Sequence, residues 1–165
     1  MPQFYKVSDP DYFDAMTHPA MRFLGEAARE HMPGWDLSYI VMGDDASDPN
    51  VPVAGMLQIA PGETLPKHAH DSFRVEVMVR GSIQLPNGDV LYPGDVMVSR
   101  PGEFYGPHVA GPEGSLSVEI FAFARGAFPV YDPTDGANAF TGTGSEQANA
   151  VISRFKAETP TGLPG

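Results

Sequence analysis

The stretch GETLPKHAH, residues 62–70, decides how this chain is interpreted, because it holds His68 and His70, two of only five histidines. Residues i and i+2 of an extended segment face the same side, so both imidazoles can point at one atom. Neutral imidazole binds zinc, iron, nickel or copper, and a pair needs one or two further ligands. The alternative is a pair of polar surface histidines in a turn, and the spacing alone does not separate the two.

Short apolar runs separated by Gly, Pro, Asn and Asp surround this stretch, which is typical of antiparallel strands and tight turns. The pattern predicts strands over residues 37–42, 53–59, 73–79, 82–85, 90–92, 96–99 and 116–124. Many short strands at close spacing favour a sandwich, a jelly roll or a barrel. Because the sequence has no internal repeat, we expect one all-β barrel.

The two ends of the chain have helical patterns. Thr17 can cap an N-terminal helix that ends near residues 33–34 and has one apolar face, formed by Phe23, Leu24, Ala27 and Ala28. Residues 137–145 are rich in Gly, Ala and Thr and predict a linker, and a C-terminal amphipathic helix follows with Ala148, Val151, Ile152 and Phe155 on one face. The expected division is a helical extension over 1–35, a barrel over 36–125, and a linker and helix over 126–165.

Composition narrows the function classes. A chain of 165 residues with 42% hydrophobic residues is expected to fold as one domain. Its net charge of −11 repels nucleic acid and anionic lipid, so neither is an expected partner. The absence of cysteine excludes disulfides, thiolate nucleophiles and Cys-ligated metal. With no apolar leader or membrane-spanning run in the sequence, a soluble cytoplasmic protein is expected.

The spacing around the histidine pair resembles the first motif of the cupin superfamily, which runs Gly, five residues, His-x-His, three or four residues, Glu, six residues, Gly. Gly62, His68, His70 and Gly81 fall at the expected positions, and Gly94 begins the second motif. The resemblance covers roughly residues 55–124. It implies a jelly-roll β-barrel that holds a divalent metal ion at the two histidines.

Two positions depart from the family pattern. Arg74 stands where the family has its metal-binding Glu, and Glu76, on the same strand face, is a candidate to take over as ligand. The alternative is an Arg74–Glu76 polar pair inside the barrel. Tyr105 stands at the third histidine of the family, while His108, three residues later, is the candidate third ligand, with a histidine at the barrel rim as the alternative. Residues 106–114 are expected to form a loop at the barrel mouth.

The resemblance implies a metal-dependent enzyme acting on a small organic molecule. In this hypothesis His68, His70 and His108, with Glu76 as a further candidate, hold an iron ion; zinc, nickel and manganese remain open. Tyr105 or Glu76 relays a proton, and Arg74 either anchors an anionic substrate group or forms a structural salt bridge.

A dioxygenase of aromatic or oxygenated acids is the favoured reaction class. A lyase, isomerase or cyclase, a non-catalytic binding cupin, and a metal-free site that uses Arg74 with the two histidines are the alternatives. The candidates for the pocket lining are Met56, Gln58, Phe73, Phe104, Phe121 and Phe123; alternation does not say which face looks inward, and most of them are expected in the core. A homodimer is expected.

Overall fold

The computed structural model describes residues 3–32, 34–44, 48–132, 134 and 153. Two short helices come first, α1 (Tyr12–Met16) and α2 (Arg22–His31), with a 3-10 turn at Pro19–Met21 between them. The strands that follow are β1 (Trp35–Val41), β2 (Val53–Ile59), β3 (Thr64–Leu65), β4 (His68–His70), β5 (Arg74–Gln84), β6 (Val90–Leu91), β7 (Val96–Ser99), β8 (His108–Phe121) and β9 (Pro129–Tyr131). A second 3-10 turn, Ala124–Gly126, joins β8 to β9.

The strands form two antiparallel sheets. The larger has the order β1-β2-β8-β5-β6, with β3 paired to β8 and β7 paired to β5, and the smaller pairs β4 with β9. This mainly β architecture agrees with the predicted fold class.

Alternation along the strands places the core on one side of the large sheet. In β2, every second residue from Val53 to Ile59 is buried. Helix α2 packs against β1, so that Ala28 and Met32 join Trp35 in the buried apolar cluster. The N-terminal helices therefore close one side of the barrel interior.

Strand β5 is continuous where two strands were expected. Its register against β8 shifts between Met78 and Arg80 and again between Gly81 and Ile83. Gly81 has a φ of +70°, and a Cβ atom there would overlap the backbone carbonyl of Gly114. A glycine is required at this bulge because only Gly adopts that conformation without strain and leaves room for the facing strand. The bulges explain the interrupted apolar pattern in the sequence.

The N-terminal helical segment differs from the prediction. It is split into α1 and α2, and Thr17 is the C-cap residue of α1, not an N-cap. The Thr17 hydroxyl donates to the carbonyl of Phe13 at 2.7 Å and accepts from the amide of Tyr39 at 3.3 Å. Thr17 therefore connects α1 to β1. Of the predicted apolar face, Ala28 is buried, and the side chains of Phe23, Leu24 and Ala27 lie outside what the structure describes.

The expected loop at residues 106–114 is wrong for most of its length, because β8 begins at His108. The predicted linker at 137–145 and the helix-forming residues Ala148, Val151, Ile152 and Phe155 lie outside the described residues. Within the described part of the chain, no helix has the length and apolar character needed to cross a bilayer.

Candidate active site

The histidine pair lies on β4, which has backbone contacts on both sides. β9 pairs with it along its length, and on the other side His68 and Tyr105 exchange backbone hydrogen bonds of 3.1 and 3.0 Å. The His68 and His70 side chains are both buried, with ring centroids 5.1 Å apart. The two imidazoles are adjacent inside the protein, and the alternative of surface turn residues is wrong.

Both imidazoles are held in the neutral form. The His68 Nδ1 atom lies 2.7 Å from the carbonyl oxygen of Pro66, which can only accept, so Nδ1 carries the proton and Nε2 keeps its lone pair. Burial lowers the pKa of His68 to about 3, although the Pro66 carbonyl opposes this shift. Burial also lowers the pKa of His70, and its Nδ1 atom has no hydrogen-bond partner.

His108 is a buried strand residue and not a histidine at the barrel rim. It is 2% exposed at the start of β8, opposite Leu65 of β3. Burial lowers the pKa of His108, and its Nδ1 atom has no hydrogen-bond partner. A third neutral imidazole therefore lies inside the barrel.

Arg74 lies at the centre of a buried ion cluster. Its Nη2 atom donates to Glu76 at 2.9 Å, its Nη1 atom donates to Glu119, and its Nε atom donates to the Ser99 hydroxyl at 3.4 Å. Arg74 is fully buried. Burial lowers its pKa, but the surrounding negative charges, that of Glu119 first, together with the hydrogen bond to Glu119, outweigh burial and raise the pKa. The Arg74–Glu76 pair considered from the sequence is therefore present. Each guanidinium nitrogen already donates to a partner inside the protein, and the Arg74 side chain is fully buried, so it is not placed to anchor an anionic substrate.

Sequence reasoning missed Glu119. This residue is 6% exposed and lies opposite Glu76 on β5 and Gly55 on β2. Burial raises the pKa of Glu119 to about 6, against the opposing effect of Arg74. The sequence shows that Glu119 shares a strand face with Phe121, two residues later, but it does not show which side chains lie across from that face.

Tyr105 is located among the other candidate residues. Its ring centroid is 4.5 Å from that of His68 and 5.6 Å from that of His108, and the Arg74 guanidinium carbon lies 4.2 Å from the ring centroid. The phenol oxygen is buried without a hydrogen-bond partner, and burial raises the pKa of Tyr105. The ring at the family's third-histidine position thus packs between two imidazoles and the arginine.

A pocket of about 60 Å³ reaches the histidine pair from the side of α2 and β1. On the scale where one water needs about 10–15 Å³, this is room for a few waters or a small ligand. Its apolar lining includes Ala28, Met32, Trp35 and Leu37, from α2 and β1, and its polar lining consists of Tyr39, His68, His70, Glu119 and Tyr131.

None of the four phenylalanines named as candidates is among the residues that line this pocket. Phe73, Phe104 and Phe123 are exposed, and Phe121 is buried in the core with its ring 4.7 Å from that of His70. Met56 and Gln58 occupy the alternate positions of β2, where the burial pattern places only partly buried residues.

Several donor atoms of the site match the divalent metal ion that the cupin resemblance implies. His70 Nδ1, His108 Nδ1 and Glu76 Oε1 are buried without partners, and His68 keeps a free ring nitrogen. Such atoms suit a divalent ion. Among the described residues, however, no three or more His, Asp or Glu side chains are grouped so that they could hold an ion together. The donor chemistry fits, and the third ligand is not brought to the histidine pair.

Comparison with known proteins supports the fold. No family model and no curated protein matches the chain. A protein of unknown function with a cupin-like fold from Ralstonia eutropha JMP134 matches 79% of this chain and 78% of its own, at 18% identity and a TM-score of 0.51.

Two further solved structures match less of the chain. KdgF from Halomonas sp. covers 54% of this chain and 80% of its own at 22% identity and a TM-score of 0.45. A mutant of oxalate decarboxylase from Bacillus subtilis matches 58% of this chain and 26% of its own, at 19% identity and a TM-score of 0.47. Because these scores are below 0.5, the fold conclusion depends on the Ralstonia structure, on the antiparallel sheets and on the histidine pair on β4. The predicted cupin jelly roll is confirmed, and the protein has the cupin fold.

Proposed function

We propose that this protein is an enzyme that acts on a small organic molecule in the pocket beside His68 and His70, with a divalent metal ion as cofactor. The observation that carries the proposal is a set of three buried neutral imidazoles, of His68, His70 and His108, inside a cupin barrel. Neutral imidazole is the form that binds metal.

His68 and His70 would hold the ion, and His108 and the free Oε1 atom of Glu76 are the candidate further donors, although neither is grouped with the histidine pair among the described residues. Iron is the favoured metal, and when bound it would supply dioxygen chemistry, whereas zinc, nickel or manganese would supply a Lewis acid. A three-histidine set with its carboxylate tied to Arg74 favours the dioxygenase over a lyase, isomerase or cyclase.

The other residues of the site position groups and move protons. The Pro66 carbonyl holds the His68 ring in one tautomer, as outer-shell partners do at metal sites. The unpartnered Tyr105 hydroxyl donates or accepts a proton at the substrate. Arg74 acts as a positioning residue, because it fixes the carboxylates of Glu76 and Glu119 and touches no open space.

A second candidate function is metal-free acid–base catalysis, and it is favoured by Glu119. This carboxyl group lines the pocket, and its burial raises the pKa to about 6, which suits a general base near neutral pH. In this candidate function Glu119 exchanges a proton with the substrate, and a neutral imidazole of β4 accepts a hydrogen bond from the substrate.

Elemental analysis of the purified protein separates the two candidates. The wild type and a His18→Ala control are expected to hold about one ion per chain, and His68→Ala and His70→Ala are expected to lose it. No metal in the wild type would contradict the first candidate and favour the second.

The reaction class needs its own assay. With about one iron per chain, the protein should consume dioxygen with a member of a panel of phenolic and diketone substrates, and His68→Ala should not. Iron-loaded protein that takes up no dioxygen across the panel would rule out the dioxygenase assignment and would not bear on the metal site itself.

We also propose that the protein is a homodimer. Light scattering of the purified protein measures its molar mass in solution, and a mass of one chain would contradict this proposal.

A further inference from the structure

The outer face of β5, β7 and β8 is apolar, although it lies on the surface of the barrel. Two rows of three side chains run across these strands and form the outer apolar face: Val98, Val75 and Ile120 in one row, and Val96, Val77 and Val118 in the other. Val96, Val98 and Ile120 are 54%, 64% and 41% exposed, and the other three are half-buried. Contiguous apolar side chains of this kind mark an interaction surface.

The inner face of the same strands holds the charged side chains. Arg74 and Glu76 alternate with the valines of β5, Glu119 precedes Ile120 on β8, and all three charged residues are buried. In an antiparallel sheet with one solvated face, apolar residues ordinarily point inward and polar residues outward. The alternation is reversed in this part of the sheet, which is the pattern expected if the outer apolar face is also covered.

The chain covers the neighbouring part of the same sheet with its own helix α1. The Tyr12 hydroxyl donates to the Met56 sulfur at 3.3 Å, and Ser38, opposite Met56, is fully buried. Met56 is itself opposite Val118, so the cover provided by α1 reaches the border of the outer apolar face. Val96, at the far end of that row, remains exposed. Half of the outer surface is therefore covered from within the chain, and the other half is open.

The distribution of charge favours a second copy of this chain as the partner. Two copies with a net charge of −11 each repel one another, and the outer apolar face is a surface without a charged side chain. Opposite charges flank β7, with the exposed Asp95 before it and the exposed Arg100 after it. A twofold axis perpendicular to the strands would bring Asp95 of each copy to Arg100 of the other. An apolar centre with a polar rim is the usual anatomy of a protein interface.

We propose that two copies of the chain associate through the outer apolar face, packed face to face about a twofold axis, with Asp95 of each copy facing Arg100 of the other. The inference rests on the homodimer put forward above and names the surface that forms it. It depends neither on the metal ion nor on the substrate.

Sedimentation equilibrium of the full chain measures the dissociation constant of the dimer. Val98→Glu places an unpaired charge in the contact from both copies and is expected to raise this constant about 100-fold or more. Val130→Glu is the matched control, because it makes the same change at an exposed strand valine of the smaller sheet, and should leave the constant unchanged. If Val98→Glu does not fold, Val98→Thr, which keeps the branched shape, should still raise the constant about tenfold.

The flanking charges test the orientation of the two copies. Arg100→Glu and Asp95→Lys each place like charges together twice in the dimer, so each is expected to weaken association by about threefold to tenfold. An equimolar mixture of the two variants restores both opposite-charge pairs and should associate as tightly as the wild type. The mixture decides, because Asp95 also accepts a hydrogen bond from the Tyr92 amide and its replacement disturbs that turn.

The outcomes separate this inference from the homodimer itself. A dimer that is equally tight in the wild type and in folded Val98→Glu would overturn the inference and leave the homodimer standing. A wild type with the mass of one chain would overturn both, including the case in which a later segment of the same chain covers the outer apolar face. A mixture of Arg100→Glu and Asp95→Lys that associates no more tightly than either variant alone would overturn the twofold orientation.

Discussion

The histidine half of the site, on β4, and the ion-pair half, on β5 and β8, are held together in different ways. His68 and His70 are fixed by backbone pairing with β9 and are neutral. Arg74 and Glu119, by contrast, are charged side chains that depend on each other and are 45 residues apart in the sequence. The first half follows the family motif, and the second replaces the motif's carboxylate with a cation and its two counterions. The difference teaches that a chain can keep the histidine pair of a short motif while the opposite wall of the site has a different charge.

Removing Arg74 gives the largest expected effect. Arg74→Met leaves Glu76 and Glu119 buried without a counterion, which costs about 3–5 kcal/mol of unfolding free energy. For a chain of this size we expect the melting temperature to fall by roughly 10 °C or more at pH 7. Thermal denaturation measures it, with Arg80→Met as control, because Arg80 is exposed. A loss no larger than that of the control would mean that the cluster does not depend on its cation.

The histidine half and the ion-pair half of the site are expected to change the free energy of unfolding in opposite directions as the pH falls. The pKa of His68 is 6.5 in the unfolded chain and about 3 in the folded protein. Its contribution to the free energy of unfolding is therefore present above pH 6.5 and is lost as the pH falls towards 3. The loss is about 1.4 kcal/mol per pH unit for each such histidine. The pKa of Glu119 is raised to about 6, so its contribution is present below pH 4.5 and is lost as the pH rises through 6.

Urea unfolding between pH 4 and pH 8 tests this contrast. His68→Gln should flatten the decline in stability on the acid side, whereas Glu119→Gln should steepen it, because the opposing contribution is gone. Identical pH profiles for the wild type and both variants would contradict the assigned pKa shifts.

Restoring the family's third histidine sharpens the comparison further. Tyr105→His places an imidazole beside His68, where the Tyr105 ring now packs at 4.5 Å between centroids. We expect metal affinity to rise by about tenfold, measured by competition with a chelator. Tyr105→Phe is the matched control, since it keeps the ring and adds no donor. An unchanged affinity in Tyr105→His would show that this position does not face the proposed ion.

The smallest expected effect is on stability in that same Tyr105→Phe variant. The phenol oxygen has no hydrogen-bond partner, so its removal should change the unfolding free energy by less than about 1 kcal/mol. Differential scanning calorimetry measures the change. A fall of several degrees would mean that the hydroxyl makes a stabilising contact.

The fold was predictable because its signals are local. The spacing from Gly62 to Gly81 matches a known motif, and the limits of β2 and β7 agree with the predicted strands at 53–59 and 96–99. The start of β8 was not predictable in the same way. Residues 106–114 hold two prolines and three glycines and resemble a loop. Val109 and Ala110 nevertheless pair with Gln84 and Ile83 of β5.

The site was predictable in part, for a related reason. His68, His70, Arg74, Glu76 and Tyr105 could be named because each falls on or near a motif position. Their partners could not, because cross-strand register decides which side chains meet. Glu119 belongs to a predicted strand, but only the pairing of β8 with β5 and β2 places it beside Arg74 and opposite Gly55. The apolar pocket wall likewise depends on how α2 packs against β1.

The most direct test of the central claim is a crystal structure of the protein grown with iron, with anomalous diffraction data collected at the iron edge. The account predicts one anomalous peak per chain, bonded to His68 Nε2 and to His70, with Arg74 still paired to both carboxylates. A structure with no peak between these histidines, or with the peak at a surface site only, would contradict it.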